Sequence, residues 1–183
     1  MTSALIPLAP GCEELEAVTI IDLLRRADFD VLTAGLVEGP ITASRRTVLV
    51  PDVLLVDMTD QEFDLIVLPG GQPGATHLGE SRILKRMLYR QDERGGWIGA
   101  ICAAPRVLAA HGLLAGRRAT SFPGALDEFS DGSFEMVDDP VVIDDHIVTS
   151  RGPGTAMDFV LTLIECSAGS ERRVAVEGPL HRS

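Results

Sequence analysis

Short apolar runs alternate along the chain with stretches of helical period. "ALIPLA" (4–9) is almost continuously apolar and ends at Pro10-Gly11, the mark of a buried strand closed by a turn. "CEELEAVTIIDLLRRA" (12–27) predicts a helix, with carboxylates in its first turn and Arg25-Arg26 in its last, as the helix dipole favours. "DVLTAGL" (30–36) is a second strand, and "TVLV" (47–50) and "VLLV" (53–56) are short strand pieces split by Pro51-Asp52. "DLIVLPGG" (64–71) is an apolar strand running into paired glycines. Ser81 then caps a helix reaching Arg94. "WIGAI" (97–101) is followed by a helix over 103–114. Further β pieces are expected at 117–121, 133–137, 141–144 and 146–150. "GPGT" (152–155) turns into a long helix at 156–169, then a short helix at 170–177 and a loose tail.

This alternation predicts one domain over residues 1–183, of α/β class, with a doubly wound, mostly parallel sheet and helices on both faces. Composition agrees. Hydrophobic residues make up 45% but aromatics only 4%, so the apolar mass is Leu, Val, Ile and Ala, as in a buried parallel sheet. The formal net charge is −11 with no basic stripe, which disfavours nucleic acid as a partner. No run approaches the roughly 20 apolar residues of a membrane span, and "MTSALIPLAP" has neither a basic segment nor a long apolar one. Cys12, Cys102 and Cys166 are odd in number and lack metal spacing, so neither a disulfide framework nor a metal site is expected. A reducing cytoplasm is the simplest setting.

Doubly wound sheets bind ligands outside the carboxyl ends of their strands. Pro10-Gly11, Gly70-Gly71 and Cys102 all fall at such ends. Cys102 stands between a strand and a helix. There it is either a small buried hydrophobe or a nucleophile on a sharp elbow, its pKa lowered by the N–H groups of the helix start. Gly70 and Gly71 are either a plain turn or a backbone nest for an anion. Glu16 heads an apolar helix row of Ile20, Leu23 and Ala27, so it is either partly buried and protonated or at the rim of a cleft. Leu15, Val18, Ile20, Ile21, Leu23 and Leu24 give the same helix apolar residues on more than one face, which calls for a second covering surface.

"GCEELEAV", "SRR", "LPGGQPGA", "AICAAP" and "TSRGPGTAMDF", in that order, resemble the ThiJ/PfpI superfamily, in the branch of DJ-one and the bacterial YajL-type stress proteins. The resemblance covers roughly residues 3 to 177. It implies a flavodoxin-like sandwich, a homodimer, no cofactor, and Cys102 as a reactive nucleophile-elbow cysteine. By the same resemblance Glu16 is the protonated carboxyl that hydrogen-bonds the sulfur. Gly70, Gly71 and Ala103 form the oxyanion or substrate side, with Gly71 and Ala103 as backbone donors. Arg45 is a basic residue reaching the site near the dimer interface. Two positions depart from relatives. Ala103 stands where the protease-like branch has His, which removes a peptidase triad. Phe122 stands where the human member has a nearby His, so acid–base work falls to Glu16.

Two functions are implied. One is a cysteine-dependent enzyme acting on small reactive dicarbonyls or glycated substrates, of the glyoxalase III or deglycase kind. The other is a non-catalytic oxidative-stress sensor or chaperone switched by Cys102 oxidation. Among the remaining candidates, His77 and His111 read as structural or surface groups. Cys12 reads as a packing residue with a second redox thiol as the alternative, and Cys166 as core.

Overall fold

Along the central strands, successive side chains fall alternately into two separate cores. In β1 (Ser3–Leu8), Ala4, Ile6 and Leu8 enter one core and Leu5 the other. In β6 (Leu65–Leu68), Leu65 and Val67 face the first, Ile66 and Leu68 the second. Such strands must be covered on both faces. Helices α1 (Glu14–Arg26), α5 (Ala156–Ala168) and α6 (Ser170–Glu177) cover the first face, through residues such as Ile20, Leu24, Phe159, Leu163 and Val176. Helices α2 (Gly74–Glu80), α3 (Arg82–Glu93) and α4 (Pro105–Ala110) cover the second, with Leu78, Leu84, Leu88, Val107 and Leu108. The structure, a computed structural model, describes residues 1–129 and 131–182.

The remaining strands are β2 (Asp30–Gly35), β3 (Ile41–Thr42), β4 (Val48–Leu49), β5 (Val53–Leu54), β7 (Trp97–Ile101), β8 (Arg118–Ala119), β9 (Glu135–Met136), β10 (Val141–Asp144) and β11 (Ile147–Ser150). The main sheet has seven strands in the order β10-β11-β7-β6-β1-β2-β5. All neighbours are parallel except the β10–β11 hairpin. The chain winds outward in both directions from β1, so β1 and its neighbour β6 flank the switch point where such sheets open a crevice. This is the doubly wound, mostly parallel sheet expected from the alternation, and the flavodoxin-like architecture that the family resemblance implies. Gly99 lets α5 lie close on β7: a Cβ there would come within 2.9 Å of Leu163 and 3.0 Å of Phe159.

Several boundaries differ from the sequence expectation. The first helix spans 14–26, not 12–27, because Glu13 caps it by accepting the Glu16 N–H at 2.8 Å. A whole helix, α2, follows the paired glycines, where the sequence pattern shows only a turn. Its seven residues, including Gly74 and Gly79, are too few and too weakly patterned to show a period. The helix after Cys102 starts at Pro105, not 103, since proline favours the first helical position. It ends at Ala110, ahead of Gly112 at φ +71°. The piece expected at 117–121 is only β8, and the piece at 133–137 only β9. The two pair with each other outside the main sheet. The tail is not loose over its described part. Leu180 packs on the first core, and Arg182 pairs with Asp158 at 2.6 Å and Glu177 at 3.4 Å. Ser183 lies outside the described residues.

Candidate functional site

β7 delivers Cys102 to the carboxyl edge of the sheet. Its N–H still donates to Ser150 O at 2.9 Å, continuing the β7–β11 pairing, but its φ is +63°, a left-handed conformation that few side chains adopt. That strain, of order 1–3 kcal/mol, is held by neighbours on both sides. The Cys102 carbonyl accepts the Phe122 N–H at 2.9 Å, and the Ile101 carbonyl accepts the Ala104 N–H at 2.9 Å. The residue thus sits on a strained elbow between strand and helix, the arrangement used to present a nucleophile. It is 8% exposed, while Cys12 is completely enclosed.

The loops after β1 and β6 interlock beside it. Glu13 N–H donates to Gly70 O at 2.9 Å. A Cβ on Gly71, at φ +89°, would lie 2.4 Å from Glu13 N, so only glycine permits this approach. His77 seals the arrangement by donating Nδ1–H to Pro10 O at 3.0 Å, a structural role. His111 lies at the far end of α4, where burial and then Lys85 hold its pKa down.

Glu16 points from the first turn of α1 into this junction and is completely buried. Its Oε2 accepts the Gly70 N–H at 2.8 Å. Oε1 has no hydrogen-bond partner among the described residues, and the Cys102 thiol stands close enough to the carboxyl to bear on its titration. Burial raises the Glu16 pKa to about 7, against the Gly70 N–H and the Cys102 thiol, which lower it. Of the two open readings for Glu16, the structure supports the buried one, with the carboxyl protonated below about pH 7.

The thiol behaves differently from expectation. Burial, then the charge and hydrogen bond of Glu16, push Cys102 up to about 12. The N–H groups of Gly71 and Ala103, which face the sulfur, act in the opposite sense. The expected lowering fails for two reasons: the site is nearly dry, and α4 is only six residues long and begins beyond Ala103. The sulfur and carboxyl form a coupled pair. Once Glu16 is ionised, it is a base placed beside the thiol proton.

Gly70, Gly71, Ala103, Glu16 and Cys102 are therefore brought together. Arg45 is tied to the region by its backbone. Its N–H donates to both Glu14 oxygens at 2.8 and 3.0 Å, while its guanidinium is exposed and hydrogen-bonds to Ser44 O at 3.5 Å. Glu14 does more than complement the helix dipole: it is a structural residue that holds the 44–47 turn. Burial works to raise its pKa, but backbone N–H groups, including those of Arg45 and Thr47, and the Ser44 hydroxyl hold it at about 2. Its partners are about thirty residues away, so no local signal reveals them. Cys12 packs in the first core, its pKa raised to about 11 by burial and then by Glu14. Cys166 is half-buried at the edge of that core rather than inside it, since its side of α5 meets the surface. Among the described residues no cluster of His, Cys, Asp and Glu is arranged to hold a metal, and no helix is long and apolar enough to cross a membrane.

Residues 2–166 match the DJ-1/PfpI family. The chain is 44% identical over 172 residues to protein dj-1beta of Drosophila melanogaster, covering 93% of this chain and 91% of that one. It is 41% identical over 179 residues to the glutathione-independent glyoxalase DJR-1.2 of Caenorhabditis elegans, covering 97% and 95%. The crystal structure of Drosophila melanogaster DJ-1beta superposes with a TM-score of 0.94 at 42% identity, over 100% of this chain and 98% of that one. A structure of oxidized Toxoplasma gondii DJ-1 gives 0.93 at 36% identity, over 98% of each chain. The chain belongs to the DJ-1/PfpI family.

Proposed function

We propose that this protein is a cofactor-independent enzyme that converts small reactive dicarbonyls to hydroxy acids through Cys102. The observation that supports this best is the Glu16 carboxyl, fully buried beside the Cys102 thiol, with one oxygen left without a hydrogen-bond partner among the described residues and a pKa near neutrality. The glyoxalase name of the Caenorhabditis elegans relative supports the same chemistry.

In this mechanism, ionised Glu16 takes the thiol proton as the sulfur adds to the aldehyde carbon of methylglyoxal. The resulting alkoxide is received by the Gly71 and Ala103 N–H groups and takes the proton back, giving a hemithioacetal. Glu16 then removes the proton from that carbon and returns it to the neighbouring carbonyl carbon, while the hemithioacetal hydroxyl proton passes to the neighbouring oxygen. The product is the thioester of a 2-hydroxy acid. One carbon is oxidised and its neighbour reduced within the substrate, so no external electron carrier is needed. Water cleaves the thioester, releasing the hydroxy acid and restoring the thiol. The deciding experiment is steady-state turnover of methylglyoxal by reduced protein, free of buffer artefacts. Loss of hydroxy-acid formation in Cys102→Ala supports the mechanism, and equal turnover by that variant sinks it.

A second reading, a redox sensor or chaperone switched at Cys102, draws on the same geometry. Sulfinate oxygens on Cys102 would meet the same two N–H groups and a protonated Glu16. The structure of an oxidized relative favours keeping it.

We also propose that two copies pair through the outer face of α1. Leu15 and Val18 there are 51% and 47% exposed, and Val48 in β4 and Val50 just after it are 58% and 74% exposed. Glu14 binds the 44–47 turn to the start of α1 and so gathers these residues into one patch. In a dimer built this way Arg45 would stand at the interface, where it has access to the site.

A further inference from the structure

Three backbone segments enclose Cys102, and one side chain ties all three. The segment 70–76 supplies Gly71, whose N–H faces the sulfur and whose carbonyl accepts the Ala75 N–H at 2.9 Å. The segment 102–106 supplies Ala103, the second N–H on the sulfur, whose carbonyl accepts the Arg106 N–H at 3.4 Å. The segment 122–129 supplies the Phe122 N–H that binds the Cys102 carbonyl at 2.9 Å.

Arg106 is one turn beyond Cys102, on α4. Its Nη1 donates to Thr76 Oγ1 at 3.2 Å, and that hydroxyl donates onward to Gln72 Oε1 at 2.9 Å. Gln72 directly follows Gly71. The other arm, Nη2, pairs with Glu128 on the third segment. A cavity of about 380 Å³ lies where the segments converge, lined by Gln72, Arg106, Gly124, Ala125, Asp127 and Glu128. α2 and α4 also meet through apolar packing, with Leu78 and Val107 in the same core. Such contacts resist separation but carry little directional preference. A planar guanidinium holding two partners at fixed angles supplies the direction.

We infer that Arg106 is a positioning residue, which sets the spacing of the Gly71 and Ala103 N–H donors across Cys102 through Thr76, Gln72 and Glu128. This inference deepens the dicarbonyl mechanism and rests on it. Stabilisation of an oxyanion depends on where the donors stand, so a small slip between the two segments acts on the transition state more than on substrate binding.

The test compares Arg106→Met, which keeps the aliphatic stem, with Arg106→Lys and Glu128→Gln. Two quantities are read: methylglyoxal turnover, and the pH profile of Cys102 alkylation by iodoacetamide. Arg106→Met should lower kcat about tenfold or more while KM stays within about twofold. It should also displace the alkylation profile, with Arg106→Lys restoring part of both. An unchanged kcat together with a coincident profile overturns the inference. So does a raised KM at unchanged kcat, which would make Arg106 a substrate ligand. If the wild-type protein turns over no dicarbonyl, the enzymatic reading falls, and the alkylation profiles alone decide the positioning role. If Arg106→Met does not fold, the same readouts on Arg106→Lys and Glu128→Gln decide it.

Discussion

Gly70 and Cys102 approach so closely that a Cβ on Gly70 would lie 2.6 Å from the Cys102 Cβ. The same carbon would stand 2.8 Å from Ile101 O and 2.9 Å from Ala103 N. All three neighbours belong to the elbow itself, and none is the end of a flexible side chain. The glycine is therefore required by the approach of the elbow, and Gly70→Ala should push Cys102 away from Glu16. Overpacking of this kind costs about 1–3 kcal/mol of stability, while misplacement of the nucleophile by about 1 Å costs about 100-fold in turnover. Chemical denaturation and methylglyoxal kinetics on the same sample would show a folded protein with little activity. Full activity would mean that the elbow is free to move.

Glu16 should make stability depend on pH. Its pKa in the folded chain is about 7, against an ordinary 4.5. The folded state therefore holds a proton that the unfolded state releases between those values. The stabilising effect of that proton is fully present below about 4.5 and is lost as pH rises through about 7. At about 1.4 kcal/mol per pH unit the loss approaches about 3 kcal/mol. Glu16→Gln cannot ionise, so it should gain stability relative to the wild type at pH values well above 7, compared with their difference in acid. Urea unfolding of both proteins at the two extremes measures this. A constant difference across the range would remove Glu16 as the titrating group.

The same substitution should lower the pKa of Cys102, because the neighbouring negative charge that raises it is gone. Turnover should nonetheless disappear, since an amide cannot shuttle the proton. In the wild-type protein kcat/KM for methylglyoxal should rise through about pH 7 as Glu16 ionises, if the proposed mechanism holds. A pH–rate profile and the pH dependence of Cys102 alkylation test both statements. Retained turnover in Glu16→Gln would leave Glu16 a structural residue.

Mild peroxide should add oxygen to Cys102 before Cys12 or Cys166. Cys12 is fully enclosed, and Cys166 has burial and the Glu165 charge working against its thiolate. Cys102 has a base beside its proton and two N–H donors for the oxygens of its product. Peptide mass spectrometry over a peroxide time course reads the order. Prior oxidation of either other cysteine would count against both functional readings.

Leu15→Glu combined with Val18→Glu should separate the proposed dimer without unfolding the chain, because both residues are about half exposed in the single chain. Sedimentation should show the wild type at twice the 19.6 kDa chain mass and the variant near that mass. A wild-type monomer at micromolar concentration would refute the pairing.

The amino-acid pattern alone determined the alternation of strands and helices, the two-sided burial of the sheet, Cys102 at a strand end and Glu16 at the head of an apolar helix row. These are local matters: a period of two or of 3.6 residues, a proline, a paired glycine, each readable within a dozen positions. Short pieces escaped it. Helix α2 is held by Leu78 and Ala75 in the core more than by its own propensity. The tertiary structure alone decided which loops meet. Glu16 reaches Gly70 across 54 residues, and Glu14 reaches Arg45 across 31. It also decided the direction of the thiol pKa. The elbow pattern suggests a lowered value, but the depth at which Cys102 and Glu16 are buried together raises both, because desolvation depends on everything packed around a group and not on its neighbours in the chain.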